Sequence, residues 1–180
     1  ARLGAMGTIS SVELRQHHPD LLEEGRGKRD KALLDRHNLV ALDREVRGAL
    51  ALAAGRGAVA VNVMKAVGAH ADYVRQSCES GAHAIVMGAG LPLDLPDMAK
   101  DFPDVALVPI LSEARGVSIV LRKWMRKNRL PDAIVITSFA PSDVVDYLVN
   151  QQGYRLLEVP FASAFALRHT WATEAAKEMF

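Results

Sequence analysis

Two short segments hold the residues best suited to chemistry: Asn62 within Val61-Asn62-Val63-Met64, and the turn Gly88-Ala89-Gly90-Leu91. An amide on an otherwise apolar strand must find hydrogen-bond partners or cost stability. Asn62 therefore either satisfies backbone groups inside a core or donates to the carbonyl or ring nitrogen of a bound cofactor. Gly88-Ala89-Gly90 removes side-chain bulk beside a strand end, which lets backbone amides approach a planar ring or an anion. The next residues, Leu91-Pro92-Leu93-Asp94-Leu95-Pro96, make a stiff, largely apolar loop, because proline fixes φ and restricts its predecessor. An ordinary strand-to-helix turn with Asp94 or Asp97 near a helix N-terminus has the same composition. The turn is not a dinucleotide fingerprint, since Leu93 stands where GxGxxG needs its third glycine.

Other reactive side chains are less concentrated. Lys65 either brings a cation to a reduced ring or a phosphate, or extends its stem toward solvent. His70 follows the strand that carries Asn62 and is the candidate general base, since imidazole titrates near neutral pH; a surface or helix-start histidine is the competing reading. His83 precedes a strand and belongs to the opposite end of a sheet. None of the six histidines forms HxxxH or HExxH, and Cys78 has no partner set, so no metal site is expected. Ser77-Cys78-Glu79 lacks a positioned base for a thiol nucleophile.

Elements that could position these groups recur along the chain. Apolar, β-branched runs at 58–64, 84–87, 106–111, 133–137 and 155–159 begin every 22 to 27 residues. Without strict polar alternation they read as strands buried on both faces, the pattern of a parallel sheet with helical crossovers. The clearest crossover spans 113–128, where Val117, Val120, Leu121 and Trp124 form one apolar stripe. Arg115, Arg122, Lys123, Arg126 and Lys127 occupy other positions and read as a solvated face rather than a phosphate or RNA contact. A helix through Leu42, Val46, Leu50 and Ala53 should stop near Gly55 or Gly57. The charge-dense stretch 17–36 reads as an exposed excursion, a short helix with a loop at Gly25 and Gly27 being one form of it, and Thr8-Ile9-Ser10 as the end of an earlier strand. Ligands of parallel α/β folds collect at the carboxyl ends of the strands, so Asn62, Met64, Gly88 to Leu91 and Ser112 are the residues to follow.

Composition limits the function classes. With 49% hydrophobic and 24% charged residues over 180 positions, the chain can bury a single core and is neither disordered nor fibrous. A formal net charge of +1 gives no reason to expect a nucleic-acid or membrane partner. One cysteine and no basic-then-apolar leader suit a reducing, cytoplasmic setting. No apolar run approaches the roughly 18 residues of a membrane span.

The residues singled out above also carry a family resemblance. Asn62 in VNVM, the segment Gly81 to Pro96 reading GAHAIVMGAGLPLDLP, the strand Leu107 to Ile110 with Ser112, and Arg129-Leu130-Pro131-Asp132-Ala133 resemble the nitronate monooxygenases, formerly called 2-nitropropane dioxygenases. The resemblance covers about residues 4 to 137 and extends to the flavin-dependent enoyl reductases. It implies a (β/α)8 TIM barrel, a single FMN-binding domain over 1–180, incomplete in this chain and with further segments after about residue 137. FMN would lie at the carboxyl strand ends, flanked by Asn62, Met64, Gly88, Ala89, Gly90 and Leu91, with Ser112 on the rim. The implied reaction oxidises an alkyl nitronate or nitroalkane with O₂ to a carbonyl compound and nitrite. The alternatives are an enoyl-thioester reductase using NAD(P)H and a catalytically silent flavin-binding or scaffold homologue. A homodimer is compatible with either flavoenzyme. The sequence departs from the family pattern after the 133–137 strand, where Thr137-Ser138-Phe139-Ala140-Pro141 replaces the Gly-Gly-His segment that supplies the usual base. A doubly wound open sheet fits the same strand period.

Overall fold

The computed structural model describes residues 1, 3–136, 148, 150, 153–159 and 163–168. Strand β1 (Gly7–Ser10) leads through a 3₁₀ turn (Leu14–His17) and α1 (Pro19–Gly25) into α2 (Lys31–Ala53). Then follow β2 (Val59–Met64), α3 (His70–Glu79), β3 (Ala84–Gly88), α4 (Leu95–Met98), β4 (Ala106–Leu111), α5 (Ala114–Met125) and β5 (Ala133–Ile136). A hairpin of β6 (Tyr154–Val159) and β7 (Ser163–Arg168) completes the described elements.

β1 to β5 form a five-stranded parallel sheet in sequential order, so each strand pairs with the one before it. Sequential order removes the doubly wound alternative, which requires a point where the strand order reverses. Right-handed crossovers that always step the same way put every helix on one face. The side chains agree. Val61, Val63, Ile85, Met87, Leu107, Ile134 and Ile136 join residues of α2, α3 and α5 in the main core. Ala60, Ala84, Val86, Ala106, Val108, Ala133 and Val135 form a second, smaller cluster on the opposite face. Ala60, Ala84 and Ala106 lie in register across three strands there, a row of small side chains.

Three elements differ from expectation. The 155–159 run was expected as a further parallel strand; instead β6 pairs antiparallel with β7, and β7 pairs antiparallel with β5. The connection between β6 and β7 is too short for a crossover, which parallel pairing needs. α2 begins at Lys31, inside the stretch read as an excursion, because the Asp30 carboxylate accepts from the amides of Ala32 and Leu33 at 3.0 and 3.2 Å and caps the helix. Between β3 and β4, a single helical turn replaces a full crossover helix. Among the described residues the sheet runs from β1 at one edge to β6 at the other, without the ladder that would close an eight-stranded barrel. The Thr137 to Pro141 departure lies outside the described residues. No described helix is long and apolar enough to cross a membrane.

Candidate functional site

Register brings the candidate residues to one end of the sheet. Met64 pairs with Gly88, Asn62 with Val86, and the Lys65 amide donates to the Gly88 carbonyl at 2.8 Å. Period-two alternation puts Asn62, Met64, Gly88 and Ile110 on the face away from the helices. The backbone carbonyl of Asn62 accepts from the Ser11 amide at 3.0 Å, and the residue itself is half-buried.

A cleft of about 260 Å³ opens beside this row, lined by Ala89 to Leu91, by Ile110 to Glu113, and by Gly116. Glycine allows close neighbours at three places around it. A Cβ at Gly88 would come within 3.0 Å of Ile110 Cβ and 3.1 Å of Ile110 Cδ1. Gly90 has φ +133°, and a Cβ there would meet Lys65 Cγ at 3.2 Å. In the first turn of α5, Gly116 lets Leu91 Cδ2 come within 3.3 Å of where its Cβ would stand. Ala89 sits between the two loop glycines at φ 57°, in the left-handed region that side chains rarely take. Two apolar side chains at these strand tips stay open to solvent, Met64 at 42% and Leu91 at 39%.

The loop is anchored from two sides. Trp124, fully buried on α5, donates its indole N–H to the Pro92 carbonyl at 3.0 Å. Lys65 Nζ donates to both oxygens of Asp94, at 2.5 and 2.6 Å, and lies 3.1 Å from His70 Nε2. Partial burial pushes the Asp94 carboxyl up, but the Lys65 hydrogen bond, backbone donation and the Lys65 charge outweigh it, leaving the pKa below the ordinary 3.8. The Lys65–Asp94 tie therefore persists until pH falls below the usual carboxylate range. An ammonium has three donors, and here three acceptors take them. Lys65 thus serves as an internal tie rather than a cation offered to a ligand. His70 Nδ1 lies 2.7 Å from the Val67 carbonyl, so both ring nitrogens are engaged, and the ring does not line the cleft.

Ile110, Glu113 and Gly116 were missed from sequence. Ile110 and Glu113 carry no chemical signal of their own; Gly116, a glycine within an amphipathic helix, was the available one. Other reactive groups lie elsewhere. His83 Nδ1 accepts from the Val59 amide at 2.9 Å at the opposite end of the strands. Among the described residues no three His, Cys, Asp or Glu side chains are grouped to hold a metal.

Cys78 is buried on α3, and desolvation, with a smaller contribution from Glu79, pushes its thiol up to about 11. Alkylation by iodoacetamide at about pH 8 should be on the order of a hundredfold slower in the folded protein than in urea, because so little thiolate is present. The sign for stability follows. The folded value lies above the ordinary 9.0, so this contribution is whole below pH 9 and is lost as pH rises toward 11. Denaturation midpoints that increase across that window would contradict it.

No protein-family profile matches the chain, and no curated protein matches it. Among solved structures, a FabK mutant from Thermotoga maritima is similar at 18% identity and a TM-score of 0.40, over 51% of this chain and 30% of that one. The matched part is thus less than a third of that protein's length. A likeness of this size bears on neither activity nor cofactor.

Proposed function

We propose that this chain binds FMN against the tips of β2, β3 and β4 and acts as an oxidoreductase on small alkyl nitronates, using O₂ to form a carbonyl compound and nitrite. The observation that carries this reading is the half-buried Asn62 on the same end of the sheet as a turn held free of side-chain bulk at Gly88 and Gly90. A flavin ring needs flat apolar support and a few donors and acceptors at its polar edge. Met64, Leu91 and Ile110 would give the support, and Asn62 with the backbone of Ala89 and Gly90 the polar contacts. Ser112 would sit on the rim. The cleft of about 260 Å³ is smaller than the roughly 300–1,000 Å³ of a complete small-molecule pocket, so it suits one part of such a ring.

Bound flavin supplies the electron acceptance and the chemistry with O₂. The protein's part is to orient and to exclude water. A nitronate is already deprotonated at carbon and needs no base, whereas a neutral nitroalkane does. With both nitrogens of His70 engaged, the nitronate is the better match of the two. Purified protein incubated with FMN should retain it on dialysis and release nitrite from an alkyl nitronate, with little or none from the parent nitroalkane at the same pH. Failure to take up FMN would end this reading. Fast anaerobic reduction by NAD(P)H with no response to nitronate would replace it with the enoyl-thioester reductase.

Asn62→Ala should weaken FMN binding about fivefold, the value of one net hydrogen bond of about 1 kcal/mol, while leaving the urea midpoint near that of the parent. Isothermal titration and urea denaturation check the two halves separately. A large loss of stability with unchanged FMN affinity would make Asn62 a core amide instead.

A further inference from the structure

We propose that His70 is a pH-sensitive positioning residue: protonating its Nε2 breaks its hydrogen bond with Lys65 and loosens the Lys65–Asp94 tie that holds the 88–94 loop against the cleft. The tautomer follows from chemistry. A carbonyl only accepts, so the 2.7 Å contact between His70 Nδ1 and the Val67 carbonyl puts the ring proton on Nδ1. Nε2 then carries the lone pair, and it faces an ammonium 3.1 Å away. Neutral His70 is thus the third acceptor of Lys65, beside the two oxygens of Asp94.

A second proton on the ring reverses this contact. Nε2 becomes a donor aimed at a group that can only donate, and two like charges stand about 3 Å apart, where repulsion is strong in a partly buried setting. The imidazolium also competes with Lys65 for the Asp94 carboxylate. The charged groups around the ring are few. Lys65 reaches it from the end of β2, Asp94 from the start of α4, and Asp72 lies on its own helix. On the α2 side, Asp35 and Lys31 act on Tyr73, the next turn of α3.

The consequence reaches the cleft through Gly90, which lines it and against which the Lys65 stem packs. When Lys65 is driven from its place, the backing of the turn changes and Asp94 no longer pins the loop. The loop is thus held while His70 is neutral and released once Nε2 takes a proton. The effect on cofactor binding rests on the flavin reading above; the clamp itself does not.

Trp124 reports on the clamp without any ligand, because its indole donates to Pro92 within the same loop. With Trp171→Phe as background, leaving Trp124 as the only tryptophan, its fluorescence should show one transition on acidification. His70→Gln, whose amide oxygen can still accept from Lys65 but does not titrate, should abolish it. FMN affinity should be at least about fivefold weaker at the acid end than at the alkaline end, and level in His70→Gln. A transition that survives His70→Gln, or no transition in the parent, overturns the proposal even if FMN binds. A transition removed by His70→Gln in a protein that takes up no FMN upholds the clamp and sinks the flavin reading alone. Ring ¹⁵N shifts of the wild-type protein give a check independent of any variant. His70 must carry its single proton on Nδ1 while neutral and take the second on Nε2 over the same pH range as the fluorescence change, and the opposite tautomer overturns the proposal.

Discussion

Replacing Trp124 with alanine is expected to cost about 3–5 kcal/mol of stability, a large share of the roughly 5–15 kcal/mol that holds a domain of this size together. The indole is completely buried on α5, in the stripe it shares with Val117, Val120 and Leu121, and that stripe is the fully buried part of the helix's contribution to the main core. Its loss leaves a cavity that the neighbouring core residues fill only in part. Trp124→Phe separates packing from hydrogen bonding. It keeps most of the apolar area but leaves the Pro92 carbonyl without the 3.0 Å donor, a penalty of about 1–3 kcal/mol if no water replaces it. The phenylalanine variant should therefore stay folded while FMN affinity falls, because the carbonyl it orphans belongs to the loop that walls the cleft. Urea denaturation with an unchanged m-value measures both changes. An alanine variant within about 0.5 kcal/mol of the parent would mean that α5 does not hold the loop.

How much of this could be read from the residues follows from which interactions are local. β2 to β5 were legible because strands buried on both faces must be apolar throughout, and α5 because its stripe has the helical period. α2 was only half visible. Its first turns bury His37 and Asn38, polar residues that an apolar template passes over, and the Asn38 side-chain oxygen accepts from the Arg15 amide at 3.3 Å. The β6–β7 hairpin was misread because an apolar run does not record the direction of its partner; only the short connection does. Asn62, Met64 and the Gly88 turn were identified individually, and sheet register makes them neighbours. Lys65, His70 and Asp94 were each noticed for a different reason, yet nothing in their spacing announces a three-way contact. That contact exists because β2 and β3 are adjacent and the loops after them leave the same end of the sheet.

Adjacent residues in the cleft turn should respond to opposite substitutions. Gly90→Ala places a Cβ on a backbone at φ +133°, a region almost confined to glycine, and drives it to 3.2 Å from Lys65 Cγ. The expected cost is about 1–3 kcal/mol, met by a shift of the loop and not by global unfolding. FMN uptake should consequently fall far more than the urea midpoint. Gly88→Ala should act similarly for another reason. Its new Cβ meets Ile110 at the β-carbon, which cannot swing aside, and overpacking of this kind costs about 1–3 kcal/mol. Ala89→Gly is the reverse case. At φ 57° the alanine is already strained, so glycine relieves the backbone while adding disorder to the unfolded chain, and the two nearly cancel. The pattern across 88, 89 and 90 should therefore be harmful, neutral, harmful, read by FMN titration beside urea denaturation. Equal tolerance at all three positions would mean that the turn has no close neighbour and that the cleft's shape does not depend on it.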